Sequence, residues 1–235
     1  MTQTPNDPTM SGSPVETVAG GALSCAEIEA LSLKAARGAG LSWGMAEEAG
    51  YAATWLEVRG LDGASTLLAL LDLYGDGDLA SLSPDVDDRI WRAKGAHLCP
   101  LAAGTALSDF RGLGQADIAS GPLSITNVAH PLLLLPFVHA LANATGTAVH
   151  LTSEGDTCSV DPTGAVWGDI AACSDRRDLT LSSEAVPQDP VTPSKTACII
   201  DKDTLRRLQD YALRTTVPAS DASRAGAGAA TTDND

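Results

Sequence analysis

The sequence predicts an α+β protein: an N-terminal helical unit, then a mixed strand-rich half, then a C-terminal helix. Two observations carry that reading. Between Ser24 and Gly75, three helix-period segments follow one another, each with a capping residue and a glycine stop. Beyond Gly121 the period shortens, and short β-rich runs alternate with turn signals until a last helix opens at Asp201 or Asp203. Helices first and mixed strands later is the pattern of α+β chains.

The elements follow in order. Residues 1–22 are rich in Thr, Pro, Ser and Gly, lack periodicity and are expected to be disordered; residues 216–235 read the same way. Residues 23–215 are expected to form a single α+β domain, helical over about 23–120 and α/β over about 121–215. Ser24 and Glu27 have capping-box spacing, and Ile28, Leu31 and Ala35 form the stripe of a first helix that ends at Gly38 and Gly40. Ser42 caps a second helix running to about Val58, with Gly60 as its stop. Asp62 caps a third, through GASTLLALLDLYG. Three helices on short glycine turns make a compact unit. Ser83-Pro84 reads as a helix start, although DVDDRIWRAKG is ambiguous between a short helix and a strand. Residues 95–120 are poorly defined.

In the second half, LSITNV reads as a strand. Pro131 to Ala144 reads as a helix that Pro136 kinks or shifts, and TAVHLTS reads as a strand. TCSVDPTGAVWGDI reads as a hairpin about the Asp161-Pro162-Thr163-Gly164 turn. DLTLSS and KTACIID are two further strands, and TLRRLQDYALR is the last helix.

Composition narrows the function classes. The 235 residues suffice for a real core, but aromatics are only 4%, so that core must be built from Leu, Ala, Val and Ile. A formal charge of −15 repels phosphate backbones and anionic lipid, which argues against nucleic acid and membrane partners. The apolar run PLLLLPFVHALA is too short to span a bilayer and contains Pro136, and no secretory signal is visible, so a soluble, cytoplasmic protein is expected. Five cysteines without a C-x-x-C pair read as buried free thiols rather than a disulfide framework or zinc ribbon.

The stretch KAARGAGLSWGMAEEAG, Lys34 to Gly50, is the most informative. On a helical wheel, Met45, Ala46, Ala49, Ala52, Ala53 and Leu56 make one slim apolar side. The other side carries Trp43, Glu47, Tyr51, Trp55 and Val58, with Glu48 at its margin. A helix apolar on both sides is either sandwiched or lines something. Sandwiching would set the rings on the α/β half and leave the acids to water, or to Lys34 and Arg37. The functional alternative makes the rings the floor of a pocket, with Glu47 or Glu48 supplying a charge. Burial beside rings would raise a carboxyl pKa, and Arg37 nearby would lower it.

The same stretch resembles the opening segment of a family of uncharacterised proteobacterial proteins, a domain of unknown function. The similar residues are Glu27-Ile28, Lys34-Ala35-Ala36-Arg37-Gly38-Ala39-Gly40, Trp43-Gly44 and Glu47-Glu48-Ala49-Gly50. The resemblance implies one bacterial domain over residues 23–215. It implies no activity and no catalytic residue.

Other chemistry is thinly marked. Gly38, Gly40 and Gly44 lack dinucleotide-loop spacing and follow a helix rather than a strand, and there is no Walker A sequence. His97 and Cys99 lack the partners of a zinc deaminase, Asp76 and Asp78 lack the rest of a calcium loop, and no G-x-S-x-G elbow is present. No cofactor and no metal are expected. His130, just before Pro131 at a strand-to-helix handover, is the preferred histidine. The leading expectation is a partner- or small-ligand-binding or accessory protein, able to self-associate through the helical corner. The alternative is an enzyme on a small polar metabolite, with Glu47 or Glu48 as acid or base, Arg37 holding an anionic group and His130 assisting.

Overall fold

Local signals and distant pairings build the architecture together. The computed structural model describes residues 21–75, 82–110, 117–174, 176–185 and 197–215. The segments 1–20 and 216–235, expected to be disordered, and the calcium-loop fragment Asp76 and Asp78 lie outside them. The fold is α+β, with helices dominating the first half and strands the second.

The chain opens with β1 (Gly21–Ser24), which starts inside the stretch expected to be disordered. It pairs antiparallel with β9 (Ala197–Ile200), Gly21 opposite Ile200, and so ties the two ends of the described chain together. Helix α1 (Cys25–Gly38) has the full capping box: Glu27 N–H donates to Ser24 Oγ, and Ser24 N–H donates to the Glu27 carboxylate at 2.8 Å. Helix α2 (Trp43–Glu57) is capped by Ser42, whose Oγ accepts from Met45 N–H at 3.3 Å. Helix α3 (Gly63–Tyr74) begins after Asp62, but the Asp62 carboxylate makes no capping bond. The Glu57 carboxylate instead accepts from Ala64 N–H at 2.9 Å.

One expectation from the middle of the chain needs correction. Ser83-Pro84 does not start a helix. Residues beyond it form β2 (Asp85–Asp87), which pairs antiparallel with β3 (Ile90–Arg92) across a turn with Asp88 at φ +51°. The reason is Trp91, fully buried on β3 and edge-on to Phe110, which pulls the segment onto the sheet. The undefined stretch 95–120 contains α4 (Pro100–Phe110). Its Gly104 is not a breaker. A Cβ there would run into the Phe137 ring, so glycine lets two helices approach closely.

Strand β4 (Leu123–Ala129) leads through His130 into a 3₁₀ turn at Pro131–Leu134 and then α5 (Leu135–Thr145). Pro136 thus shifts the helix start and sits in the first turn, where a missing N–H costs nothing. Strand β5 (Ala148–Ser153) pairs antiparallel with β6 (Asp156–Val160), and β6 continues through the Asp161–Gly164 turn into β7 (Val166–Gly168), the hairpin expected from the sequence. Strand β8 (Arg176–Glu184) returns between β4 and β5. The main sheet has the order β2-β3-β4-β8-β5-β6-β7, antiparallel except for β3 beside β4. Helix α6 (Lys202–Leu213) is capped by Asp201, which accepts from the N–H groups of Asp203 and Thr204, both at 3.0 Å. One continuous buried cluster runs from Ile28 on α1 through Leu56 and Val138 to Leu181 and Leu208. Among the described residues, no helix is long and apolar enough to cross a membrane.

Candidate functional site

Helix α2 has the two faces the wheel predicts: the slim one is buried, and the ring-bearing one is covered around Trp55 but open at Trp43 and partly open at Tyr51. Gly50 lies against α1, where a Cβ would meet the Glu29 carbonyl at 2.9 Å, and Ala53 lies against Gly63 at the start of α3. On the ring-bearing face, Tyr51 stands edge-on to Phe137 of α5, centroids 6.3 Å apart, and Trp55 lies beside His139 of α5 at 5.7 Å. For Tyr51 and Trp55 the rings are packing surfaces between α2 and α5.

Trp55 is 6% exposed and belongs to a network that joins three parts of the chain. The Arg59 guanidinium lies 3.6 Å over its ring, and its Nε–H donates to the Gly164 carbonyl at 2.8 Å. The Trp55 Nε1–H donates to His139 Nδ1 at 3.2 Å. An indole N–H can only donate, so Nδ1 is the acceptor and the ring proton sits on Nε2, which donates to the Pro162 carbonyl at 3.3 Å. His139 is therefore neutral, and burial pushes its pKa down. Beneath this, the fully buried Asp161 organises the turn: its Oδ1 accepts from Thr163 N–H at 2.8 Å, Thr163 Oγ1–H at 2.7 Å and Ala165 N–H at 3.0 Å. Gly164 takes φ +81° between Arg59 and His139, a position with neither the angle nor the space for a side chain.

The other end of α2 faces outward. Trp43 is 62% exposed, its Nε1–H donates to Glu47 Oε1 at 2.7 Å, and Arg37 lies 5.8 Å from its ring centre. Arg37 itself donates to the Leu41 carbonyl. Among the described residues, no ion pair joins Glu47 or Glu48 to Lys34 or Arg37. Glu48 is half-buried. Burial first, then the charges of Asp109 and Glu47, raise its pKa. Burial also raises that of Tyr51.

His130 is not part of this corner. It ends β4 in the left-handed region, φ +45°, an uncommon and strained conformation for a side-chain-bearing residue. It lines a cavity of about 460 Å³ with Asp62, Ser65 and Thr66 on one side and Cys173 and Ser174 on the other. Gly60, Leu61, Ala69, Leu132 and Ile170 complete the walls. Glu47 and Glu48 sit on the first turns of α2, while the cavity begins past its last residue; the helix rise alone puts roughly 15 Å between them. The structure thus gathers Arg37, Trp43 and Glu47 at one end, with Glu48 and Tyr51 beside them. Trp55 lies inside a structural network, and His130 is in a separate cavity.

Sequence reasoning missed Arg59, the Asp161 side chain and the cavity walls Asp62, Ser65, Thr66, Cys173 and Ser174. Arg59 had a signal, since it lies four residues after Trp55 on the same helical face. The cavity walls had none, because they come from two segments more than a hundred residues apart. Four of the five cysteines are buried and Cys25 is half-buried. The Cys173 thiol is held protonated, first by its hydrogen bond with Cys158 and then by burial. A second, polar concavity of about 600 Å³ lies on the sheet between Thr126, Thr152 and Thr180, bordered by the Arg177–Glu154 ion pair at 2.7 Å.

Comparison with known proteins adds a family likeness for part of the chain. A family model described as a protein of unknown function (DUF3726) matches residues 23–99, the stretch that holds α1 to α3 and the β2–β3 hairpin. No curated protein matches the chain. Among solved structures, the chain is similar to malate dehydrogenase from Pyrococcus horikoshii OT3, with TM-score 0.46, 12% identity, and 83% of this chain and 65% of that chain covered. It is also similar to malate dehydrogenase from Entamoeba histolytica, with TM-score 0.42, 13% identity, and 82% and 61% covered. The chain spans less than two thirds of the length of either enzyme. Overlaps this loose establish neither a shared fold nor a shared chemistry.

Proposed function

We propose that this protein binds a small polar ligand in the cavity between the start of α3, His130 and the Cys173–Ser174 segment, and that it acts as a binding or accessory protein. The observation that supports this is the cavity itself. Its volume of about 460 Å³ lies in the range of small-molecule sites. Polar groups from three separated segments converge on it, and one of them, His130, is held in a strained backbone conformation. Fragment screening by protein-observed NMR tests the reading. Binders should shift the amides of residues 61–69 and 130, and Ala69→Phe, which fills the cavity, should abolish those shifts without unfolding the protein. A library that leaves these amides unmoved, or shifts that survive Ala69→Phe, would refute it.

A second surface rests on Trp43. Its 62% exposure at the α1–α2 corner supports contact with a protein partner or a second copy. Trp43→Ala should lower the mass measured by size-exclusion with light scattering; an unchanged mass removes self-association through this corner. Trp55→Ala would not test this surface, because Trp55 is buried and its loss acts on stability.

A further inference from the structure

On its α3 side the cavity presents mainly hydrogen-bond acceptors, and this selects a ligand class. Ser65 Oγ–H donates to the Asp62 carbonyl at 3.3 Å, and Thr66 Oγ1–H donates to the same carbonyl at 2.5 Å. A hydroxyl has one proton, so both oxygens turn only lone pairs toward the cavity. The Asp62 carboxylate lines the same wall, accepts only, and makes no bond to the helix start. Across the cavity, the Cys173 thiol is engaged with Cys158, and His130 and Ser174 add groups that can donate as well as accept.

The start of a helix ordinarily favours an anion, but here three of its first four donors are spent, Ser65 N–H being the exception. Gly63 N–H donates to the Leu61 carbonyl at 2.8 Å, Ala64 N–H to the Glu57 carboxylate at 2.9 Å, and Thr66 N–H to the Asp62 carbonyl at 3.0 Å. Two carboxylates, Glu57 and Asp62, already offset the positive end of α3. Among the described residues, no lysine or arginine lines the cavity. The protein's formal charge of −15 also attracts cations and repels anions before contact.

We infer that the ligand of this cavity is a small molecule carrying a protonated amine, its ammonium group received by the Asp62 carboxylate and the Ser65 and Thr66 oxygens. The inference rests on the ligand-binding reading above. An ammonium group has three donors and no acceptor, the complement of this wall. A carboxylate or phosphate would face the Asp62 carboxylate on this wall, and a neutral hydroxyl would forgo the charge-assisted bond to Asp62.

Three probes of equal chain length separate the classes: 1,4-diaminobutane, 1,4-butanediol and succinate. Titrated into ¹⁵N-labelled full-length protein at low salt, the diamine should shift the amides of residues 61–69 and 130 and bind about tenfold or more tighter than the other two. Asp62→Asn should weaken diamine binding about tenfold and lower the melting temperature only slightly, through the charge lost at the start of α3, because the carboxylate makes no hydrogen bond to the fold that asparagine would lose. Equal or tighter binding of the diol or succinate, or diamine binding indifferent to Asp62→Asn, overturns the amine assignment and leaves the cavity as a site for another class. If all three probes are silent while the fragment library finds cavity binders, the amine again falls alone. Silence from probes and library together removes the cavity reading as well.

Discussion

His139 shows how one buried polar side chain comes to hold a fold together. Its Nδ1 is spoken for by Trp55 and its Nε2–H by Pro162, so α2, α5 and the β6–β7 turn meet at one neutral imidazole. Trp55→Phe removes the donor, leaves a part-buried ring nitrogen unsatisfied and shrinks the surface under Arg59. We expect a loss of about 1–3 kcal/mol in chemical denaturation. The same site makes stability depend on pH. Burial puts the folded pKa of His139 below the ordinary 6.5, so between those two values the unfolded chain binds a proton that the folded chain refuses. Its contribution is fully present above the unfolded value and is lost as pH falls through 6.5 toward the folded value. Glu48 has the opposite sign in a lower window: its raised pKa gives stability that is present below 4.5 and lost as pH rises through the folded value. Denaturation midpoints measured from pH 7 to pH 5 should therefore fall for the wild type and fall less steeply for His139→Gln. Equal slopes would mean that another group titrates.

Elements are fixed at their ends by caps and in their middles by closeness of approach. Ser24, Ser42 and Asp201 close three helix starts with bonds spanning two or three residues, and these were legible because the capping chemistry is local. Gly38 is different. It lies in the last turn of α1, and a Cβ there would run into the Tyr211 carbonyl of α6. The sequence suggests only a helix stop at Gly38; the contact it permits is 173 positions away. Gly38→Ala should cost about 2 kcal/mol by forcing α1 and α6 apart. Gly44→Ala, on α2 with nothing within 4 Å of the added carbon, should be neutral or gain about 0.5 kcal/mol from helix propensity. Urea denaturation of the two variants measures the difference, and equal values would discount the close approach.

At the scale of the whole molecule, β1 and β9 join the two ends of the described chain, and one buried cluster runs through both halves. We expect residues 23–215 to unfold in one step. Tryptophan fluorescence, which reports on Trp55 in the helical half and Trp91 at the sheet, should coincide with far-ultraviolet circular dichroism through the transition; separated midpoints would divide the chain into independently stable units. The sequence by itself determined the fold class, the capped helices, the Asp161–Gly164 turn and the two faces of α2, since each is written in side chains within one or two turns of each other. Tertiary structure alone decided that Ser83-Pro84 leads into a strand beneath Trp91, that β8 returns between β4 and β5, and that Trp55 faces His139 while Trp43 faces outward. It also decided that Asp62, His130 and Cys173 wall one cavity. Periodicity tells which face of an element is apolar but not which partner will cover it. That choice follows from how well distant surfaces fit and how much apolar area they bury together, a property of the assembled chain rather than of any short stretch.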